Sequence, residues 1–353
     1  MNEKVSWGVL STAKIGLDRV IGPMQQAPNL SIHAIASRDV EKARAAARQF
    51  GIARSYGSYD ELLDDPAIEA VYIPLPNDLH VEWAERAAAA GKHVLLEKPA
   101  GMNAAEAERL IAARERSRRL IIEAFMVRYT PQWLKVRELI ASGRIGQVHA
   151  VQCHVTYRNM DPQNIRNRPE VGGGGIMDIG CYAILFARLA FGAEPRRVVS
   201  LIDRDPIMGT DRHSSMMLDF PKGQATLFVS TQLARAQRVR IFGTEGSIEV
   251  EVPVNAPDDR PTRITVDDGR DVLGTGAEVF AFPPANQYTL QGEAVSRMIR
   301  DGLAPEMTLE DSIANMRVID AVFRSETAGG WQGVSFVAAA HPGRLGGLRV
   351  QGD

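Results

Sequence analysis

The 353-residue chain is 45% hydrophobic and 24% charged, an ordinary globular balance, and its length suggests two domains. Its 41 basic and 43 acidic residues give a formal net charge of -2, which excludes the broad basic field that nucleic acid or an anionic lipid surface requires. Cys153 and Cys181 lack metal-ligand spacing and exclude a disulfide framework. With no signal-peptide pattern at the start and no apolar run approaching the roughly 20 residues of a bilayer span, a soluble cytoplasmic protein is expected.

The first third alternates strand and helix. Apolar runs predict strands over 5–10, 31–36, 70–73, 93–97 and 120–124. Helices are predicted between them, over 15–26, 40–50, 78–90 and 104–116. Asp39 is the expected N-cap of the second helix, and Gly51 its stop. Repeated βα units with short connections imply a parallel sheet covered on both faces. Beyond residue 124 the grammar changes. A helix over 131–141 precedes longer strands over 149–157, 197–202, 214–220, 224–231, 238–242 and 247–252, with Thr244-Glu245-Gly246 as a hairpin turn. Further helices are predicted over 182–191, 288–300 and 309–325. Residues 253–275, rich in Pro, Asp and Gly, read as a surface excursion. The expected architecture is an α/β Rossmann domain over 1–124, then an α+β domain over 125–331 with a large, mostly antiparallel open sheet, then a loose tail over 332–353.

The first strand enters a loop where a dinucleotide fingerprint would place three glycines; this chain has Ser11 and Ala13 and keeps only Gly16. Small residues still allow amides of Ser11, Thr12, Ala13, Lys14 and Ile15 to face a pyrophosphate at a helix start, though a generic βα turn fits too. The second strand ends in Ser37-Arg38. Ser37 can bond a 2′-phosphate, and Arg38 can pair with it and stack on adenine, which favours NADP over NAD. Asp39 keeps NAD open, although helix capping already explains it. After the third strand, Pro74 and Pro76 carry the chain across the sheet edge and bring Asn77 and His80 toward a nicotinamide site. His80 also reads as a satisfied first-turn histidine.

Glu97-Lys98-Pro99 ends the next strand, so a lysine leaves the carboxyl edge of the sheet, where open α/β folds place ligands. The proline biases Lys98 toward extended backbone and admits a cis bond. Farther on, Gly172-Gly173-Gly174-Gly175 permits close backbone approach, and Asp178 and Tyr182 follow four residues apart at a helix start. A Lys98 ammonium beside Tyr182 would lower the phenol pKa, and Asp178 would orient the lysine or a substrate hydroxyl. Together they form a proton-handling set for an alcohol or ketone. The structural alternative has Asp178 capping the helix and Tyr182 in the core. Arg166 and Asn167 can donate to polyol hydroxyls, and the stretch from Glu123 to Arg128 either shapes a pocket or holds a domain contact. No metal site is expected.

Trp7-Gly8-Val9-Leu10-Ser11-Thr12-Ala13, Pro74 through His80, Glu97-Lys98-Pro99, Gly173 through Tyr182 and Asn315-Met316-Arg317-Val318 together resemble the glucose–fructose oxidoreductase / inositol dehydrogenase (Gfo/Idh/MocA) family over nearly all of residues 5–331. The resemblance implies a nicotinamide-binding Rossmann domain, a substrate domain whose open sheet forms homodimers or homotetramers, and Lys98 as the catalytic lysine. It also implies that position 182 carries the acid/base residue. Tyrosine there, like the Ser-Thr-Ala-Lys loop, resembles the branch of glucose–fructose oxidoreductase and dimeric dihydrodiol dehydrogenase. The expected function is NADP-dependent hydride transfer with a sugar, cyclic polyol or related ketone, with NAD possible. The alternatives are a trans-dihydrodiol dehydrogenase, a non-catalytic NADP-binding sensor and a structural assembly subunit.

Overall fold

The computed structural model describes residues 4–335 apart from residue 306. Six parallel strands form the first sheet: β1 (Val5–Leu10), β2 (Leu30–Ala36), β3 (Arg54–Tyr56), β4 (Ala70–Ile73), β5 (His93–Leu96) and β6 (Ile121–Glu123), in the order β3-β2-β1-β4-β5-β6. The order reverses between β1 and β4, and ligands of such sheets bind in the crevice above that switch point. The covering helices are α1 (Ile21–Met24), entered through a π turn at Gly16–Val20, then α2 (Val40–Phe50), α3 (Tyr59–Leu63), α4 (His80–Ala89) and α5 (Ala104–Ser117). Asp39 caps α2 by accepting the Glu41 and Lys42 amides, and Gly51 ends it at φ +64°. β3 and α3 go unannounced in the sequence because three and five residues are too few to display a period.

α6 (Pro131–Ala141) leads to the second sheet, built from β7 (Val148–Arg158), β8 (Arg197–Arg204), β9 (Asp211–Phe220), β10 (Gly223–Ser230), β11 (Gln232–Gly243), β12 (Ser247–Val250), β13 (Thr262–Asp267), β14 (Ala277–Phe282) and β15 (Gln332–Gly333). The order is β14-β13-β12-β11-β7-β10-β9-β8-β15, and only β7 and β10 run parallel. α7 (Cys181–Phe191) lies in the crossover between those two strands. One cross-strand row, Val151, Ala225, Leu218 and Val198, is buried; the next, Gln152, Thr226, Met217 and Val199, belongs to the opposite face.

Three sequence expectations need correction. Residues 253–275 are not only a surface excursion, because β13 lies within them and buries Ile264 and Val266. Gln332 and Gly333 pair with β8, so the chain is still ordered at the start of the expected tail; residues 336–353 lie outside the described residues. Pro169–Phe191 is long and apolar enough to cross a membrane, but most of it is buried inside the fold, as a core helix is.

The chain then returns to the first sheet. α8 (Gln287–Asp301) receives a hydrogen bond from Trp7 Nε1 at Ser296 Oγ, 3.0 Å, and Arg300 pairs with Glu69 at 3.1 Å. α9 (Leu309–Ala328) offers Asp320 to the Ala104 amide at the start of α5. One apolar cluster runs through both halves.

Candidate active site

Lys98 stands on a rigid mount. Glu97 Oε1 accepts from the Tyr72 hydroxyl at 2.7 Å, its Oε2 accepts the Lys98 amide at 3.2 Å, and the Lys98–Pro99 bond is cis. His80 braces this turn from beneath. It is fully buried, with Nδ1 2.7 Å from the Pro99 carbonyl and Nε2 2.8 Å from the Leu75 carbonyl. Both nitrogens lie within hydrogen-bond distance of backbone carbonyls, the neutral ring having one N–H to donate, so His80 matches the satisfied first-turn histidine and its contacts in the structure are to backbone rather than toward a cofactor.

Asp178 faces Lys98 from a π turn, Ile176–Gly180, that leads into α7. The approach to that turn is steric. Gly174 has φ +122°, and a Cβ there would lie 1.9 Å from Asp211 Oδ1; a Cβ on Gly173 would meet three carbonyl oxygens at 2.7–2.8 Å. Asp211 Oδ2 accepts the Ile176 amide at 2.7 Å, so a carboxylate from β9 holds the helix start.

Lys98 Nζ donates to the Asp178 carbonyl at 2.6 Å and to Asp178 Oδ1 at 3.0 Å. Both side chains are nearly enclosed, at 12% and 13% exposure. An ammonium has three N–H bonds, so one stays available to a substrate oxygen. Burial opposes charge on both groups. The Asp178 carboxylate nonetheless raises the Lys98 pKa, and Arg166 followed by Lys98 holds Asp178 well below the usual carboxylate range.

Tyr182 is buried beside the pair, with Lys98 Nζ 5.2 Å from its ring centroid and its hydroxyl donating to Met126 Sδ at 3.0 Å. The sequence expectation that Lys98 lowers its pKa is corrected. Burial comes first, the Glu97 charge adds to it, and the phenol pKa is pushed well up. Arg166 Nε lies 3.0 Å from Asp178 Oδ2, which places it in the site. Asn167 is not there: its amide nitrogen donates to the Asn159 and Asp161 carbonyls and its side chain is buried. Two tyrosines at the site escape any sequence pattern. Tyr157, on β7, donates to Asp178 Oδ2 at 2.7 Å; Tyr288, at the start of α8, is close enough to Glu97 for that charge to help raise its pKa after burial.

At the cofactor end, Ser11 has φ 132° and its Oγ accepts the Ala13 amide at 2.8 Å, so it shapes the turn and is itself buried. Thr12 Oγ1 donates to Ser37 Oγ at 3.4 Å, and Ser37 Oγ accepts the Asp39 amide at 3.2 Å. Lys14 points outward and pairs with Asp18, while Ile15 is half-buried. Arg38 is exposed at the end of β2, against the Tyr59 phenol, which also meets Ser11. Pro74 packs toward Gly16, and Asn77 Nδ2 donates to the Gly172 carbonyl at 2.8 Å, tying the sheet edge to the glycine run. Among the described residues, no group of three or more His, Cys, Asp or Glu side chains is placed to hold a metal ion.

Two family models match this chain: the oxidoreductase family, NAD-binding Rossmann fold, over residues 5–125, and the GFO/IDH/MocA C-terminal domain over residues 133–249. The chain belongs to the Gfo/Idh/MocA oxidoreductase family. Among its Gfo/Idh/MocA relatives, an uncharacterized oxidoreductase of Rhizobium meliloti is 50% identical over 94% of this chain and 99% of its own. A D-xylose 1-dehydrogenase (NADP(+)) of Haloferax volcanii is 37% identical over 92% and 98%. The 3-ketoreductase of Actinomadura kijaniata, solved in complex with NADP and TDP-benzene, is 28% identical over 92% and 98%, with a TM-score of 0.84. That enzyme has also been solved with one lysine replaced by alanine or glutamate, and with one tyrosine replaced by phenylalanine.

Proposed function

We propose that this chain is an NADP-dependent oxidoreductase that interconverts a hydroxyl and a keto group on a sugar, cyclic polyol or related diol. The observation that carries the reading is the Lys98 ammonium, held at the carboxyl edge of the nucleotide-binding sheet by two bonds to Asp178 with one N–H to spare. A second observation supports it. The lysine and the tyrosine replaced in the Actinomadura kijaniata variants are separated by as many residues as Lys98 and Tyr182.

The residues present fit a dinucleotide. On this reading the loop from Thr12 to Ile15 would face the pyrophosphate, Ser37 and the exposed Arg38 would take a 2′-phosphate, and Pro74 and Asn77 would line the nicotinamide end. When bound, the cofactor supplies or accepts the hydride. Lys98 then polarises the substrate oxygen through its third N–H. Tyr182, kept protonated by burial, is suited to give its hydroxyl proton to that oxygen in the reductive direction. Arg166 and Asp178 offer a donor and an acceptor to neighbouring hydroxyls.

The outer face of the second sheet suits a second copy of this chain. Gln152, His154, Val199, Leu201, Met217 and Phe228 line a groove of about 660 Å³, and Leu201 is 77% exposed. Sedimentation of Leu201→Glu against the parent tests this; an unchanged mass would remove the groove from the interface.

The functional test is a panel of aldoses, polyols, keto sugars and aromatic trans-diols, followed at the reduced nicotinamide absorbance with NADP and NAD in parallel. Lys98→Ala and Tyr182→Phe should each lower turnover by about 100-fold or more while NADP still binds. Parent-like turnover in either variant would refute its role. NADP binding without turnover across the panel would favour a sensor.

A further inference from the structure

We propose that Tyr157 is a positioning residue of this site, acting on Lys98 through Asp178; this rests on the reading of Lys98 given above. Three side chains grip the Asp178 carboxylate. Lys98 takes Oδ1 at 3.0 Å, while the Tyr157 hydroxyl at 2.7 Å and Arg166 Nε at 3.0 Å share Oδ2. A carboxylate bound on one oxygen alone can rotate about its terminal torsion, which is soft. Donors on both oxygens fix its plane, and with it the direction in which the third Lys98 N–H points.

The two donors on Oδ2 are not equivalent. Arg166 comes from a loop and its side chain is 38% exposed. Tyr157 is the penultimate residue of β7, a central strand between β10 and β11, and follows Thr156, which pairs with both neighbours. A phenol on a central strand is a stiffer fixture than a guanidinium on a loop. The hydroxyl also helps keep Asp178 ionised, as a donor to the charged form must. The other charged or titratable groups facing the Lys98–Asp178 pair are Glu97 beyond β5, Arg166 in the loop, and Cys181 and Tyr182 on α7. Asp211 on β9 faces Tyr157 itself. When the hydroxyl alone is removed, Oδ2 is left to the partly exposed Arg166 of the loop, the looser of its two holders.

Tyr157→Phe keeps the ring and deletes one oxygen. The expected result is a fall in kcat of about 10-fold, the loss of one charge-assisted hydrogen bond, with KM for NADP unchanged. In an Asp178→Asn background, Tyr157→Phe should have almost no further effect, since the partner is already neutral. A parent-like kcat, or fully additive losses in the double variant, would overturn the proposal. Lys98→Ala is assayed alongside. If that variant is active, the reading of Lys98 fails independently; if it is inactive while Tyr157→Phe is indistinguishable from the parent, only the role of Tyr157 fails. Matched melting curves, taken first, separate loss of function from loss of fold.

Discussion

Replacing Glu123 by glutamine should change how stability depends on pH. Glu123 ends β6, is 2% exposed, and no hydrogen bond of ordinary geometry reaches either carboxylate oxygen. Burial raises its pKa from 4.5 to about 7, and the nearby Ser312 offsets only part of that. The folded state thus holds this proton more tightly than the unfolded chain does. The stabilising contribution is complete below pH 4.5, is lost as pH rises toward about 7, and stays lost above it. At ~1.4 kcal/mol for each pH unit of the window, the loss between pH 5 and pH 8 comes to about 2.5 kcal/mol. Urea unfolding of Glu123→Gln and the parent at those two pH values checks this. The difference between them should move in favour of the variant by about 2.5 kcal/mol from pH 5 to pH 8. Asp211, whose pKa burial also raises to about 7, gives both proteins the same residual slope. A difference that stays constant across that range would refute the account of Glu123 as a protonated core residue.

Gly174→Ala should destabilise by about 2–4 kcal/mol, because a Cβ would strike Asp211 at a positive φ; a melting temperature within a degree of the parent would contradict this. Arg188, 5% exposed, binds Glu194, Asp311 and Asn315, so Arg188→Met should cost about 1–3 kcal/mol in denaturant unfolding; the loss is limited because Asp311 keeps Arg128 and Glu194 reaches solvent. Arg38→Ala should raise KM for NADP about tenfold or more and leave KM for NAD nearly untouched; an equal rise for both would remove Arg38 from the 2′-phosphate.

The alternation of the first sheet is legible in sequence because β1, β4 and β5 are mostly apolar and α2 and α4 are followed by Gly51 and Gly91; β3, Arg54-Ser55-Tyr56, has no such run. β13 is hidden because its flanks are crowded with Pro, Asp and Gly, and its buried pair, Ile264 and Val266, is too short a run to stand out. Within the site, Lys98, Asp178 and Tyr182 are readable from their spacing to proline and glycine. Tyr157 is not, because a tyrosine near the end of a β-strand is ordinary until the crossover through α7 brings Asp178 back over β7. His80 and Asn167 mislead for a related reason. Polar side chains near a ligand edge look alike in sequence whether their hydrogen bonds go outward or, as here, to neighbouring carbonyls.

The Lys98–Asp178 pair joins a residue that follows β5 of the first sheet to one that precedes α7 of the second half. It therefore ties the two halves together as well as holding the lysine in the proposed site. Separating the two halves by a few ångströms would strand an ammonium and a carboxylate that are each nearly enclosed, and their attraction falls inversely with distance. Any motion that admits substrate must either leave this contact closed or replace it with water or ligand. The same two bonds that aim the lysine thus also join the two halves, and a substitution that breaks them would loosen the docking of one half on the other.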